Sequence, residues 1–271
     1  MTFQPQKLTH ADINAAADKI NVPVAALKAV IAVECRGSGF KGDRPIILFE
    51  RHVFYRNLSS RNRDVAVMKG LATKRWKRGY LKTQSARYGR LNKAIKIDND
   101  AALKACSWGL GQVLGENWRF CNFSNISEFV EYQFESEANQ LDTMCRYIVA
   151  AKLDDDLRAF DWAGFALGYN GRGYEKNKYH KKLARAYKKA GGTGKINGTR
   201  AQYSLRHGAR GARVKALQKQ LKAIGFNIKI DGVFGSNTRL CVRSFQEHRG
   251  LKVDGLVGKK TKDAIELALS K

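Results

Sequence analysis

Two eight-residue stretches towards the end of this 271-residue chain repeat one pattern. They are Asp231-Gly232-Val233-Phe234-Gly235-Ser236-Asn237-Thr238 and Asp254-Gly255-Leu256-Val257-Gly258-Lys259-Lys260-Thr261, each of the form DGxxGxxT. Asp-Gly favours a turn, because the aspartate can bond nearby backbone and the glycine tolerates left-handed dihedrals. The closing threonine is placed to cap a following helix. Apolar residues at helical spacing precede both loops: Val214, Leu217, Leu221 and Ile224 before the first, Val242 and Phe245 before the second. Duplicated loops at matching offsets restrict residues 204–271 to a small three-helix unit, and a generic helical bundle would not repeat its loops.

Ahead of that unit, residues 191–203 (GGTGKINGTRAQY) are rich in glycine and nearly free of large apolar side chains, which reads as a linker. The remaining 1–190 is long enough for a core of its own. Within it, residues 24–50 (VAALKAVIAVECRGSGFKGDRPIILFE) carry the most chemistry. Leu27, Ile31 and Glu34 share one face of an apolar helix, so a carboxylate sits on its last turn. Gly37-Ser38-Gly39 then stops the helix, and the apolar run Ile46-Ile47-Leu48-Phe49 ends in a second carboxylate, Glu50. A carboxyl held against apolar walls has its pKa raised and can donate a proton near neutral pH. Arg51, His52, Phe54 and Tyr55 follow. His52 is expected to orient Glu50 or to pack, and Cys35 has no oxyanion-hole signature near it that would make it a nucleophile.

In chain order, Thr9 and Asp12 predict a capped helix over 11–20. Residues 56–93 are basic and turn-rich, with Trp76, Tyr80 and Tyr88 interleaved among Arg and Lys, as suits either nucleic acid or sugar rings and acidic wall polymers. Ser107-Trp108-Gly109-Leu110-Gly111-Gln112 lets backbone approach a ligand closely and supplies an amide at Gln112. A helix is expected over 126–151, with Glu131, Glu135 and Glu137 on a solvated face. An apolar helix then exits into Tyr169-Asn170-Gly171, and a basic helix covers 176–189.

Taken in order, a glutamate closing an apolar helix before glycines, an SxGLxQ segment and a YNG segment are similar to the lysozyme-like superfamily, which includes goose-type lysozymes and soluble lytic transglycosylases. The Glu34…ILFERHxFYR portion resembles more narrowly the N-acetylmuramidase domain of bacteriophage endolysins. The resemblance covers most of residues 7–190 and implies that Glu34 is the general acid. It also implies that Gln112, Tyr169 and Asn170 line the cleft and contact sugar N-acetyl groups. Arg51, His52 and Ser107 are expected beside them, and Glu50 is the candidate second carboxylate. Gly111 stands where many transglycosylases have methionine. Residues 204–269 resemble the peptidoglycan-binding domain often appended to wall hydrolases, which implies a ligand groove near Asp231, Gly232, Phe234, Asp254 and Gly255.

The expected architecture is therefore mainly α: a lysozyme-like α+β catalytic domain over 1–190 and a three-helix peptidoglycan-binding domain over 204–271. The expected activity is hydrolysis of peptidoglycan by a muramidase, with a lytic transglycosylase as the neighbouring alternative. A net charge of +26 predicts anionic partners beyond the glycan itself, such as anionic wall or outer-membrane polymers. Residues 200–271 carry 16 Lys and Arg against 5 Asp and Glu. A specific nucleic-acid partner is not expected, because no helix-turn-helix, finger or RNA-binding signature accompanies the charge. A binding-only wall protein is disfavoured by the glutamate at position 34. The five widely spaced cysteines, without CxxC pairs, read as reduced and mostly buried thiols. The five histidines form no metal-binding pattern, so neither metal nor cofactor is expected. The N-terminus lacks the apolar core of a secretory signal. That suits a monomeric enzyme made in the host cytoplasm that reaches the wall once the membrane is permeabilised.

Overall fold

Helix formation begins with a reciprocal cap. The Thr9 hydroxyl accepts from the Asp12 backbone N–H, and the Asp12 carboxylate accepts from the Thr9 N–H at 2.8 Å. This starts α1 (His10–Lys19). The computed structural model describes residues 5–35, 37–77, 79–194 and 205–270. The chain packs as two compact units, Met1–Ala150 and Ala151–Lys271. Most of the expected linker, 195–203, lies outside the described residues.

In the first unit, Pro23 precedes α2 (Val24–Glu34), which buries Ala26, Leu27, Ala29 and Val30 completely. Gly37, at φ 106°, turns the chain away as the sequence requires. A short hairpin, β1 (Phe40–Lys41) and β2 (Arg44–Pro45), leads into β3 (Ile47–Phe49). Then come α3 (Arg51–Asn57), α4 (Ser60–Met68), α5 (Gln84–Ile95) and α6 (Asn99–Lys104). They are followed by β4 (Cys106–Trp108) and β5 (Val113–Leu114), then α7 (Ile126–Glu135) and α8 (Glu137–Ala150). The central strand is β4. Antiparallel pairing sets Leu48 opposite Ser107 and Phe49 opposite Cys106 on one side, and Ser107 opposite Leu114 on the other.

The basic stretch 56–93, which reads as turn-rich, instead contains α4 and α5, and α5 covers the free edge of β3. Gln84 accepts from the Ile47 N–H (3.0 Å) and donates to the Ile47 carbonyl (3.3 Å), while Arg87 donates to the same carbonyl (3.0 Å). One amide side chain thus stands in for a neighbouring strand and closes an edge that would otherwise be open to foreign pairing.

The helix expected over 126–151 is two helices. Ser136 is extended, at φ −161° and ψ 163°, because Gln6 pairs with it and accepts from the Glu137 N–H. The break corrects the expectation for Glu137 as well. Glu131 and Glu135 are exposed, but Glu137 is 5% exposed and sits on the α8 face that buries Gln140, Leu141, Met144 and Ile148.

The second unit contains α9 (Asp154–Arg158), α10 (Trp162–Asn170) and α11 (Tyr179–Lys189), then α12 (Ala212–Ala223), α13 (Ser236–His248) and α14 (Lys259–Leu269). The last three enclose a core of Val214, Leu217, Leu221, Phe234, Val242, Phe245, Val257 and Ile265. At roughly 1.5–3 kcal/mol per buried large side chain, this core supplies the main force for closing so small a bundle. Charge also holds the unit together. Arg239, 2% exposed, pairs with Asp155 at 3.0 Å, and Arg206 pairs with the buried Asp161 at 3.0 Å. Among the described residues no helix is long and apolar enough to cross a membrane.

Candidate active site

Glu34 is the last residue of α2 and is half-buried. Two groups fix the chain directly behind it. The Cys35 thiol donates to the Leu110 carbonyl at 3.1 Å, and burial, with Glu34 and Glu137 nearby, pushes that thiol well above its ordinary value. A thiol held protonated and spent on a carbonyl is no nucleophile. The other anchor is Glu137. Its Oε1 accepts from the Ser38 hydroxyl (2.5 Å) and the Gly39 N–H (2.8 Å), and its Oε2 accepts from the Leu8 N–H (2.8 Å). Gln140, one turn further along α8, accepts from the Leu110 N–H at 2.8 Å and donates to the Gln133 carbonyl at 2.8 Å. A Cβ at Gly39 would lie 1.8 Å from Gln140 Oε1, and one at Gly109 would lie 2.4 Å from its Cδ, so both glycines are required by this buried amide. At Gly111 a Cβ would come within 2.7 Å of Met144 Cβ, leaving no room for the larger residue of the transglycosylase pattern.

Glu50 follows β3 and precedes α3, with its backbone N–H donating to the Ala105 carbonyl at 2.8 Å. Its side chain is 18% exposed. Oε1 accepts from the Tyr80 hydroxyl at 2.8 Å, and Oε2 lies 3.4 Å from His52 Nδ1. His52 thus stands beside the Glu50 carboxylate. Arg51 is half-buried, its carbonyl accepts from the Thr73 N–H, and its Nε is buried with no partner.

Ser107 and Gln112 are brought together on β4 and the turn after it. The Ser107 hydroxyl donates to Gln112 Oε1 at 2.9 Å, and Gln112 Nε2 donates to the carbonyls of Gly109 (2.9 Å) and Ile46 (3.3 Å). Gln112 itself takes φ 47°. Its amide therefore ties the β4–β5 turn to the residue just before β3. Tyr169 and Asn170 end α10 in the second unit, with the Tyr169 ring stacked on Phe165 at 5.3 Å and 12°.

The duplicated loops prove to be one device used twice. Gln218 Nε2 donates to Asp231 Oδ1 (2.8 Å), the Val233 carbonyl (3.0 Å) and Thr238 Oγ1 (3.1 Å), and its Oε1 accepts from the Gly232 N–H (2.8 Å). Gln246 makes the same four bonds to Asp254, Leu256, Thr261 and Gly255, at 3.0, 3.0, 3.1 and 2.8 Å. The threonines do not cap the following helices. Each hydroxyl instead donates back to the loop carbonyl, of Val233 or Leu256, at 3.2 Å. Phe234 is fully buried and props the first loop from beneath. A cleft of about 680 Å3 runs beside that loop within the second unit, lined among others by Tyr174, Arg206, His207, Arg210 and Arg213.

Glu137, Gln140 and the Tyr80–Glu50 contact are the site features that sequence reasoning missed. A signal existed for the first two, since Glu137 and Gln140 recur at helical spacing with Leu141, Met144 and Ile148. For the Tyr80–Glu50 bond there was none.

Residues 23–191 match the model of the N-acetylmuramidase family, and residues 210–265 match that of the peptidoglycan binding domain family. The crystal structure of the Burkholderia AP3 phage endolysin is similar, at 38% identity and a TM-score of 0.65, over 70% of this chain and 73% of that one. Spore cortex-lytic enzymes are similar over a short stretch. That of Halalkalibacterium halodurans is 51% identical over 63 residues, 23% of this chain and 19% of the relative. That of Bacillus subtilis is 51% identical over 63 residues, 22% and 21% of the two chains. The chain thus spans about a fifth of the length of the curated relatives it matches.

Proposed function

This chain belongs to the N-acetylmuramidase family, and from that premise we propose that it hydrolyses the β-1,4 bond between N-acetylmuramic acid and N-acetylglucosamine in bacterial peptidoglycan. Glu34 is the general acid. Its carboxyl proton goes to the glycosidic oxygen as the C–O bond breaks through an oxocarbenium-like state, and water adds to the sugar carbon. The observation that carries this reading is the anchoring of Glu34. A half-buried carboxyl at the end of an apolar helix is followed by a turn that Glu137 anchors at Ser38 and Gly39, with the Cys35 thiol bonded to the Leu110 carbonyl. Rigid placement of a proton donor is what general acid catalysis needs.

Glu50 is the second carboxylate, taking the water proton or stabilising positive charge on the sugar. A second carboxylate at the site favours attack by water over attack by the muramyl 6-hydroxyl, which would make the enzyme a lytic transglycosylase. Gln112 contacts an N-acetyl group of the glycan, and Tyr169 and Asn170, on the second unit, offer a phenol and an amide of the same use. The functional division runs through the linker, with catalysis over 1–190 and wall binding over 204–271. The C-terminal repeats hold the wall through the cationic cleft beside the first loop rather than through the motif's own polar atoms, which are already bonded to one another. Similarity to a phage endolysin supports a role in host cell lysis. The high positive charge adds attraction to anionic wall or outer-membrane polymers.

Glu34→Gln tests the assignment. Lysis of purified sacculi is expected to fall by about 10²–10⁴-fold, with sacculus binding unchanged in a pelleting assay. Substantial residual lysis by a well-folded variant would overturn it.

A further inference from the structure

The segment between α4 and α5 matches no motif, yet it reaches the second carboxylate. Trp76 is 56% exposed and Tyr80 41%, both unusual for large aromatics. They are not loose. The Trp76 indole N–H donates to the Tyr80 hydroxyl at 3.0 Å, the rings meet edge to face at 6.5 Å, and the Tyr80 hydroxyl donates to Glu50 Oε1 at 2.8 Å. Gly79, between them, takes φ 139°, a conformation that only glycine adopts readily. The segment is fastened at both ends. Leu71, Ala72 and Thr73 are buried, with the Thr73 N–H on the Arg51 carbonyl, and Arg87 Nε donates to the Leu81 carbonyl at 2.8 Å. Thr73 Oγ1 and Arg51 Nε, both buried at its root, have no partner.

We propose that Trp76 and Tyr80 form a sugar-binding arm beside the active site, with Trp76 offering its ring face to a pyranose and Tyr80 holding Glu50 in position. This rests on the reading of Glu50 as the second carboxylate. An exposed indole whose N–H is already bonded keeps its apolar face for a ligand, and the C–H face of an amino sugar is the complementary surface. Tyr80 is a positioning residue. Burial, together with the Glu50 charge, raises its phenol above the ordinary value, so it stays a neutral donor to the carboxylate. Binding and catalysis are thereby joined through one pair of rings. A glycan that settles on Trp76 also presses on the residue that aligns Glu50.

The test is steady-state hydrolysis of soluble peptidoglycan oligomers by the full chain, with thermal melting to confirm folding. Tyr80→Phe keeps the ring and removes the bond to Glu50, so kcat is expected to fall by about 10-fold or more with KM little changed. Trp76→Ala is expected to raise KM by about 10-fold, and Trp76→Phe to restore it. In a Glu50→Gln background, Tyr80→Phe is expected to lower whatever kcat remains no further. An unchanged kcat in Tyr80→Phe while Glu50→Gln is inactive overturns the positioning role alone, and an unchanged KM in Trp76→Ala overturns the platform. Full activity in Glu50→Gln overturns the inference together with the reading beneath it.

Discussion

Two regions of this protein each hold a glycine turn with one buried side chain, and they differ in where that side chain comes from. In the C-terminal repeats, Gln218 reaches the Gly232 N–H and Gln246 the Gly255 N–H, across 14 and 9 residues of sequence. Behind Glu34, the Gly39 N–H is held by Glu137 across 98 residues, and the Leu110 N–H by Gln140 across 30. A locally closed loop carries its hydrogen-bonding set in its own motif and the helix just before it. A loop closed from afar leaves its motif free for other chemistry. The repeats are thus conspicuous because they are structural, and the turn after Glu34 is plain because its support lies elsewhere.

Removing the supports sharpens the contrast. Glu137→Ala strips three donors of their acceptor, and we expect a loss of roughly 3–5 kcal/mol in denaturant unfolding of the first unit. Activity of the remaining folded molecules should fall too, because the chain behind Glu34 loosens. Gln218→Ala and Gln246→Ala should each cost about 2–3 kcal/mol, by similar amounts, while kcat on soluble oligomers stays unchanged. Unequal costs would break the view that the two loops are one device. A smaller effect contrasts two buried carboxylates. Glu137 has three donors, whereas Asp156 has an oxygen with none and stands 3.9 Å from Arg239. Burial pushes the Asp156 carboxyl from 3.8 up to about 8, despite the opposing pull of Arg239. Between those values the folded chain holds a proton that the unfolded chain has released. Stability therefore declines as pH rises through that window and levels off above it. Asp156→Asn should gain on the parent protein by about 1 kcal/mol per pH unit across the window. A difference that does not vary with pH would contradict the protonated carboxyl.

The same contrast explains what could be read from sequence. The capped α1, the apolar α2 ending in Glu34, β3 running into Glu50 and the three-helix C-terminal unit all follow from periodicity and turn chemistry within short windows. The two glutamates were visible as elements' ends. The break at Ser136 was not, because no glycine or proline marks it and its cause is Gln6, distant in sequence. Glu137 passed for a surface residue for the same reason, since its donors come from Leu8, Ser38 and Gly39. DGxxGxxT fixes the position of the repeat threonines but not the direction of their hydroxyls, which turn back to the loop instead of capping the helices. Residues 56–93 were read from charge, while α5 is placed by Gln84 and Arg87 bonding to Ile47.

The central claim is that Glu34 delivers a proton to the bond on the reducing side of N-acetylmuramic acid and that water completes the reaction. Mass spectrometry of purified sacculi digested by the full chain tests it most directly. Fragments with reducing-end N-acetylmuramic acid are the predicted result. Fragments ending in 1,6-anhydromuramic acid, or in reducing-end N-acetylglucosamine, would contradict it.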